Sequence, residues 1–351
     1  MQSTLVPLTN KRVKTALIAT PIVVVFTIIL GVAIGSVNIP PLDIMEIIFS
    51  KLTGTQADNS ISIPMQTIVW ELRLPRVLLA FLVGAGLSAS GAVIQSVLRN
   101  PLASPFTLGV SSGASLGAGI VIAYSLSLPF LSNLTLPLAG LLTGFFTVYI
   151  SILFASKVDK NLQGTTIVLC GMVLSMFINA VFMIVAGMSG DKMQEIMKWQ
   201  MGTFSSKGWE YVKILTVVLV VCVIILLFFS KELDILSFGE QEALSIGVNT
   251  KRVKWILIII SSVLTGFAVA FAGVIGFVDL VAPHIVRRAI TSKHKYVTIL
   301  SALFGGIIMV VADLVSRTII SPRELPVGAV TALVGAPFFA FIYFKRRKTH
   351  A

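Results

Sequence analysis

An all-α polytopic membrane fold is what this chain predicts, on three observations. Hydrophobic residues make up 56% of its 351 positions, and charged residues only 12%. The mean hydropathy of +0.96 implies more apolar surface than a soluble core of this length can hide. The apolar residues also gather in runs of roughly 20, the length that crosses a bilayer as a helix.

The runs fall at about 16–37, 74–98, 106–127, 134–156, 164–187, 211–230, 255–275, 297–316 and 326–344, with an ambiguous stretch at 276–292. Lys11, Arg12 and Lys14 precede the first run, and Lys345, Arg346, Arg347 and Lys348 follow the last. The positive-inside rule therefore puts both termini in the cytoplasm. Two inner ends require an even number of crossings. Letting 276–292 cross as a short segment gives about ten helices and leaves Arg287, Arg288, Lys293 and Lys295 inside. The formal charge of +12 then reads as topology and anionic headgroups rather than a nucleic-acid partner, because no basic run is interleaved with aromatics.

We read residues 1–351 as one transmembrane domain, with inner tails at 1–15 and 345–351 and an inner segment at 231–254. Ala33-Ile34-Gly35 before Ser36 faintly resembles a signal-peptidase site, but the apolar run before it is too long for a signal core, so the first helix is expected to stay attached. Cys170 and Cys222 both fall in apolar runs, which predicts packing residues and no disulfide or metal framework. The large outer segments are 38–69 and 188–210. In the second, Met193, Met197 and Met201 stand four apart, as in a short helix lying on the membrane with that stripe down.

Four polar or small-residue patterns carry information. Trp70-Glu71-Leu72-Arg73-Leu74-Pro75-Arg76 sets two arginines at the mouth of a long apolar helix. Arginine costs little at the bilayer edge, so Arg73 and Arg76 mark an interface reachable from outside. Gly84 and Gly91 in that helix, and Gly109, Gly113 and Gly117 in the next, predict tight helix contact; a face lining a pathway is the alternative. Asp313 and Arg317, four apart, are expected to pair along one helical face. Gly84, Gly91 and Pro101 recur at a constant offset as Gly266, Gly273 and Pro283, in helices that run in opposite directions, which suggests an inverted internal repeat.

The inner segment contains Gly239-Glu240-Gln241-Glu242-Ala243-Leu244-Ser245-Ile246-Gly247, a short helix between glycines with Ala243 and Leu244 available to a partner's groove. Gly109-Val110-Ser111-Ser112-Gly113 fits G-x-S-x-G, but it lies at or within an apolar helix rather than a strand-to-helix turn. No H-E-x-x-H and no G-x-x-x-x-G-K-[ST] occurs, which removes zinc proteolysis and intrinsic P-loop nucleotide binding.

Together these residues resemble the permease subunits of type II ATP-binding-cassette importers, which carry ferric siderophores, haem and vitamin B12. The resemblance runs from about residue 65 and rests on Leu72-Arg73-Leu74-Pro75-Arg76, the Gly84 to Gly91 helix, Asn100-Pro101-Leu102-Ala103-Ser104-Pro105, Leu108-Gly109-Val110-Ser111, Gly239-Glu240 with Ala243 and Leu244-Ser245-Ile246-Gly247, Gly276-Phe277-Val278, Pro283-His284-Ile285-Val286-Arg287, Glu324-Leu325-Pro326-Val327-Gly328 and Gly335-Ala336-Pro337.

The resemblance implies a ten-helix subunit without cofactor or catalytic residues. It is paired with a second permease, identical or homologous, and with two cytoplasmic ATPases, and it is fed by an extracellular substrate-binding protein. Arg73 and Arg317, with Arg76, would dock that protein; Gly239, Glu240, Ala243, Leu244 and Gly247 would couple to the ATPases. Where many relatives carry glycine, this chain has Asp279. The expectation is a bacterial plasma-membrane permease for ferric-siderophore complexes. Haem or vitamin B12 is the alternative cargo. A proton-coupled carrier using Asp279 and an intramembrane hydrolase using Ser111 with His284 are the rival classes.

Overall fold

The computed structural model describes residues 10–35, 37–55, 61–129 and 132–348, and among them there is no β-strand. Ser36, residues 1–9 of the first tail and 349–351 of the last lie outside the described residues.

Each predicted run contains a helix. In chain order these are α1 (Asn10–Ala33), α4 (Leu74–Val97), α5 (Val110–Ala123), α6 (Ser132–Val158), α7 (Gly164–Met188), α9 (Trp209–Phe228), α12 (Thr250–Ala272), α13 (Val278–Ala289), α14 (His294–Thr318) and α15 (Val327–Lys348). Between them lie shorter helices: α2 (Pro41–Thr53), α3 (Ile63–Thr67), α8 (Met193–Gln200), α10 (Ser230–Leu236) and α11 (Glu240–Ser245). Among the described residues seven helices are long and apolar enough to cross a membrane; α5 and the apolar part of α15 are shorter.

Burial sorts the helices into a hub and a ring. The most apolar window of the helix ending in α4 is 89% buried, against 17% in α7, 22% in α9 and 28% in α1. α4 is therefore the axis of the bundle, with α12, α13 and α14 packed on it, while the ring helices turn apolar faces outward, as lipid contact requires. Glycine permits this close packing. A Cβ on Gly84 would strike the Gly305 carbonyl of α14, and one on Gly91 the Asp279 carbonyl of α13. Gly113 and Gly117 lie equally close to α6, where a Cβ would strike Thr147 and Thr143 respectively. Gly109 serves differently: with φ +100 it ends a 3-10 turn, Pro105–Leu108, and starts α5.

At 1.5 Å per residue the 12 residues of α13 reach only about 18 Å, short of a bilayer core of about 30 Å. The preceding residues 273–276 are not helical. They run from the C-terminal end of α12, where Thr203 N–H donates to the Ala272 carbonyl at 2.8 Å, to the level of Ser88, whose hydroxyl donates to the Val278 carbonyl at 3.1 Å. Such backbone is tolerated at membrane depth when protein covers it, and Ile275 and Val278 are buried.

Several local expectations change. The 38–69 segment contains α2, whose Ile44 and Ile47 face the core and which ends at Gly54 in the left-handed region, φ +73. In α8 the buried residue is Ile196, with Met197 partly buried beside it, while Met193 and Met201 are exposed. The offset repeat does not join equivalent conformations: Gly91 lies inside α4 while Gly273 terminates α12 with φ +81, and Pro283 lies inside α13 whereas Pro101 is in a turn. Cys170 and Cys222 are free, and both pack among apolar neighbours.

Candidate functional site

The polar residues of interest gather at the two ends of α4. At its first turn, Pro75 lacks the N–H that would reach back to Glu71, and the chain answers with a wide π turn, Ile68–Arg73, closed by Leu74 N–H to the Val69 carbonyl. Trp70 in this turn stacks near Trp209, centroids 4.9 Å apart, and accepts the Trp209 indole N–H on its carbonyl at 2.9 Å. An aromatic pair of this kind suits a membrane interface.

Here the structure corrects the exposed-rim expectation for the arginines. Arg73 is buried, and its guanidinium donates to the carbonyls of Val32 at 2.9 Å, Ala33 at 3.3 Å and Val37 at 2.6 Å, satisfying the orphan acceptors at the end of α1. Arg76 bonds the buried carboxylate of Asp313 at 2.8 and 3.0 Å and Glu324 at 2.7 Å. The predicted Asp313–Arg317 pair exists but is longer, 3.5 Å, and Arg317 also donates to the Gly31 carbonyl. All three arginines therefore tie α1, α4 and α14 together. They are not free surface charges, because charges this far from water need partners.

They do share a basin. Arg73, Arg76 and Arg317 line a cavity of about 660 Å³ with Lys207, Glu71 and Glu324, giving four cations against two carboxylates, with Asp313 beneath. Sequence reasoning missed Lys207. Among the described residues it has no ion pair; it sits 4.9 Å from the Tyr211 ring centroid, and burial pushes its pKa down.

At the far end of α4 lies a larger cleft of about 1170 Å³, lined by Leu98, Arg99, Lys160, Phe238, Gly239 and Leu244 among others. The short helix α11 forms one wall. Gly239 and Gly247, with φ +156 and +89, bracket it as expected, and a Cβ on Gly239 would strike the Glu242 carboxylate. Ala243, expected to face a partner, is fully buried in the cluster containing Leu162, Leu236 and Leu257. The outward apolar residues are Phe238, Leu244 and Ile246, 81%, 55% and 68% exposed. The sequence reading placed Ile246 in the glycine-bounded stretch without giving it an outward role, and did not single out Phe238, which flanks the same helix. Glu240 is not a free charge: it bonds Lys254 at 2.7 Å.

Two further polar groups are built into helix contacts. Arg287, expected at the inner side, donates to the Ala92 carbonyl at 2.6 Å, to Ser96 Oγ at 2.9 Å and to Gln95 Oε1. Asp279, buried, accepts from the Ser104 hydroxyl, a partner the sequence did not suggest. Ser111, the serine of the G-x-S-x-G pattern, lies in the first turn of α5 rather than on a strand-to-helix turn.

The FecCD transport family matches residues 23–345. The Fe(3+)-citrate import system permease YfmE of Bacillus subtilis is 35% identical over 344 residues, covering 97% of this chain and 99% of that one. The hemin transport system permease HmuU of Yersinia pestis is 33% identical over 97% of this chain and 98% of its own. The cobalamin import system permease BtuC of Halobacterium salinarum is 40% identical over 79% of this chain and 73% of its own. Among solved structures, an inward-facing metal-chelate type ABC transporter superposes with a TM-score of 0.81 at 31% identity, covering 95% of this chain and 99% of that one. A membrane-embedded helical bundle with a family match over nearly its whole length, this chain belongs to the FecCD transport family and is a multi-pass permease of the ABC importer kind.

Proposed function

We propose that this permease carries ferric-siderophore complexes across a bacterial plasma membrane into the cytoplasm, paired with an identical or homologous permease and driven by two cytoplasmic ATPase subunits. The observation that carries the reading is the pairing of an electropositive basin at one end of α4 with a cleft bearing exposed Phe238, Leu244 and Ile246 at the other. Orientation follows the basic residues: the cleft end, with Arg99, Lys160, Lys251 and Arg252, faces the cytoplasm, as do both termini.

The basin then receives the extracellular substrate-binding protein. Arg73, Arg76 and Arg317 hold its floor while Lys207 offers a charge to an incoming carboxylate; charges at such a rim steer encounter and register more than they add affinity. At the inner end, ATP hydrolysis in the partners pushes on α11, and helices around α4 tilt so that access alternates. This chain binds no nucleotide itself.

Iron chelates are favoured as cargo because relatives named for Fe(3+)-citrate and hemin import align along nearly their full length. Uptake of radiolabelled ferric hydroxamate, catecholate and citrate complexes into vesicles holding the assembled importer, beside haem and cobalamin, tests it. Accumulation of a ferric siderophore is expected. Accumulation of cobalamin or haem with no siderophore uptake would replace the cargo assignment.

A further inference from the structure

Lys254, on the first turns of α12, is 3% exposed, and a buried ammonium needs several acceptors. It has them from two other elements. Its Nζ donates to both carboxylate oxygens of Glu240 on α11 at 2.7 Å, to the Leu162 carbonyl at 3.0 Å and to the Asn161 carbonyl at 3.5 Å.

Those two carbonyls belong to the turn between α6 and α7, and the turn is itself built. Asp159 accepts the N–H groups of Asn161 at 2.9 Å and Gln163 at 2.8 Å, and these bonds hold its carboxyl below the usual carboxylate range. Leu162 takes φ +52, uncommon for a side chain of its size, and its isobutyl group packs in the same apolar cluster as Ala243. Two residues on, Gly164 lies against the backbone of Leu98 at the end of α4, where a Cβ would collide.

We propose that Lys254 is a positioning residue for energy coupling: it locks α11 to the base of α12 and to the α6–α7 turn, so that a push on α11 moves all three and, through Gly164, the end of α4. The proposal rests on reading α11 as the ATPase contact. Without the lock, α11 keeps its apolar seat at Ala243 and a 3.4 Å contact from the Thr250 hydroxyl to Glu240. A fully solvated ion pair would exchange with water during a stroke, whereas a buried ammonium with every donor engaged keeps its geometry although its Glu240 partner is partly exposed.

The test uses the whole importer in proteoliposomes, permease with its ATPase subunits and loaded binding protein, and reads cargo imported per ATP hydrolysed. Lys254→Met should lower that ratio at least tenfold, Glu240→Gln should lower it in the same direction, and Lys254→Arg, which keeps a donor, should restore most of it. A role confined to folding would scale uptake and ATP hydrolysis together and leave the ratio alone. If Lys254→Met does not assemble, Lys254→Met with Glu240→Met leaves no unpaired buried charge and serves in its place. A wild-type ratio in either assembled variant overturns the lock. Leu244→Asp separates this from the underlying reading: tenfold weaker ATPase binding supports α11 as the contact, and unchanged binding overturns that contact together with the lock built on it.

Discussion

Arg76 holds two carboxylates that come from opposite ends of the loop following α14: Asp313 within the helix and Glu324 beyond it. Removing Asp313 would strand one well-buried arginine and weaken the hold on another. Asp313→Asn is therefore expected to cost about 3–5 kcal/mol, the usual loss when one member of a buried pair is removed. Chemical or thermal unfolding of the detergent-solubilised permease should show it as a large drop in midpoint. An unchanged midpoint would mean that the pair does not hold α4 to α14. The same contacts explain why reversing Arg73 and Arg317 is not a clean docking test: a carboxylate at 73 would face the carbonyls of Val32, Ala33 and Val37. Lys207→Glu probes docking with the buried network left in place, and should weaken binding-protein affinity most at low salt. Legibility at this scale followed distance along the chain. The Asp313–Arg317 spacing of one helical turn was readable, whereas Arg76–Asp313, Lys254–Glu240 across a loop, and Asp279–Ser104 depend on how helices pack.

Helix positions were the most readable feature, because run length and hydropathy report directly on what a bilayer solvates. Residues 273–276 were not, since an apolar count cannot separate helix from extended backbone. α2 was missed despite Pro41 at its first position, Ile44 and Ile47 three apart, and a left-handed Gly54. The glycine pattern predicted contact and found it, but not its partners, which lie on α14, α13 and α6. Gly91→Val should push α13 off α4. Its bulk meets backbone that has no rotamer to give, so a loss of at least 1–3 kcal/mol is expected, read as reduced yield of folded permease and a lower melting temperature. A value at a glycine beside nothing, such as Gly187, should be tolerated. Equal behaviour of the two variants would contradict the hub arrangement.

For the whole molecule, the two polar ends were legible only in part. Composition gave a membrane bundle, and the family resemblance gave the ends their roles. Hydropathy by itself does not distinguish a gated importer from a carrier, because both bury apolar helices around a few charges. What separates them is where work enters. The α4 hub joins a basin lined by engaged arginines to a cleft whose exposed apolar residues lack a cover among the described residues, and the driving force is proposed to come from what binds there. Proteoliposomes containing this permease alone, and others containing the permease with its ATPase subunits, should be compared for accumulation of loaded cargo with ATP inside and out and with an imposed proton gradient. ATP-dependent accumulation confined to the complete assembly is predicted; concentrative uptake by the permease alone under a proton gradient would contradict it.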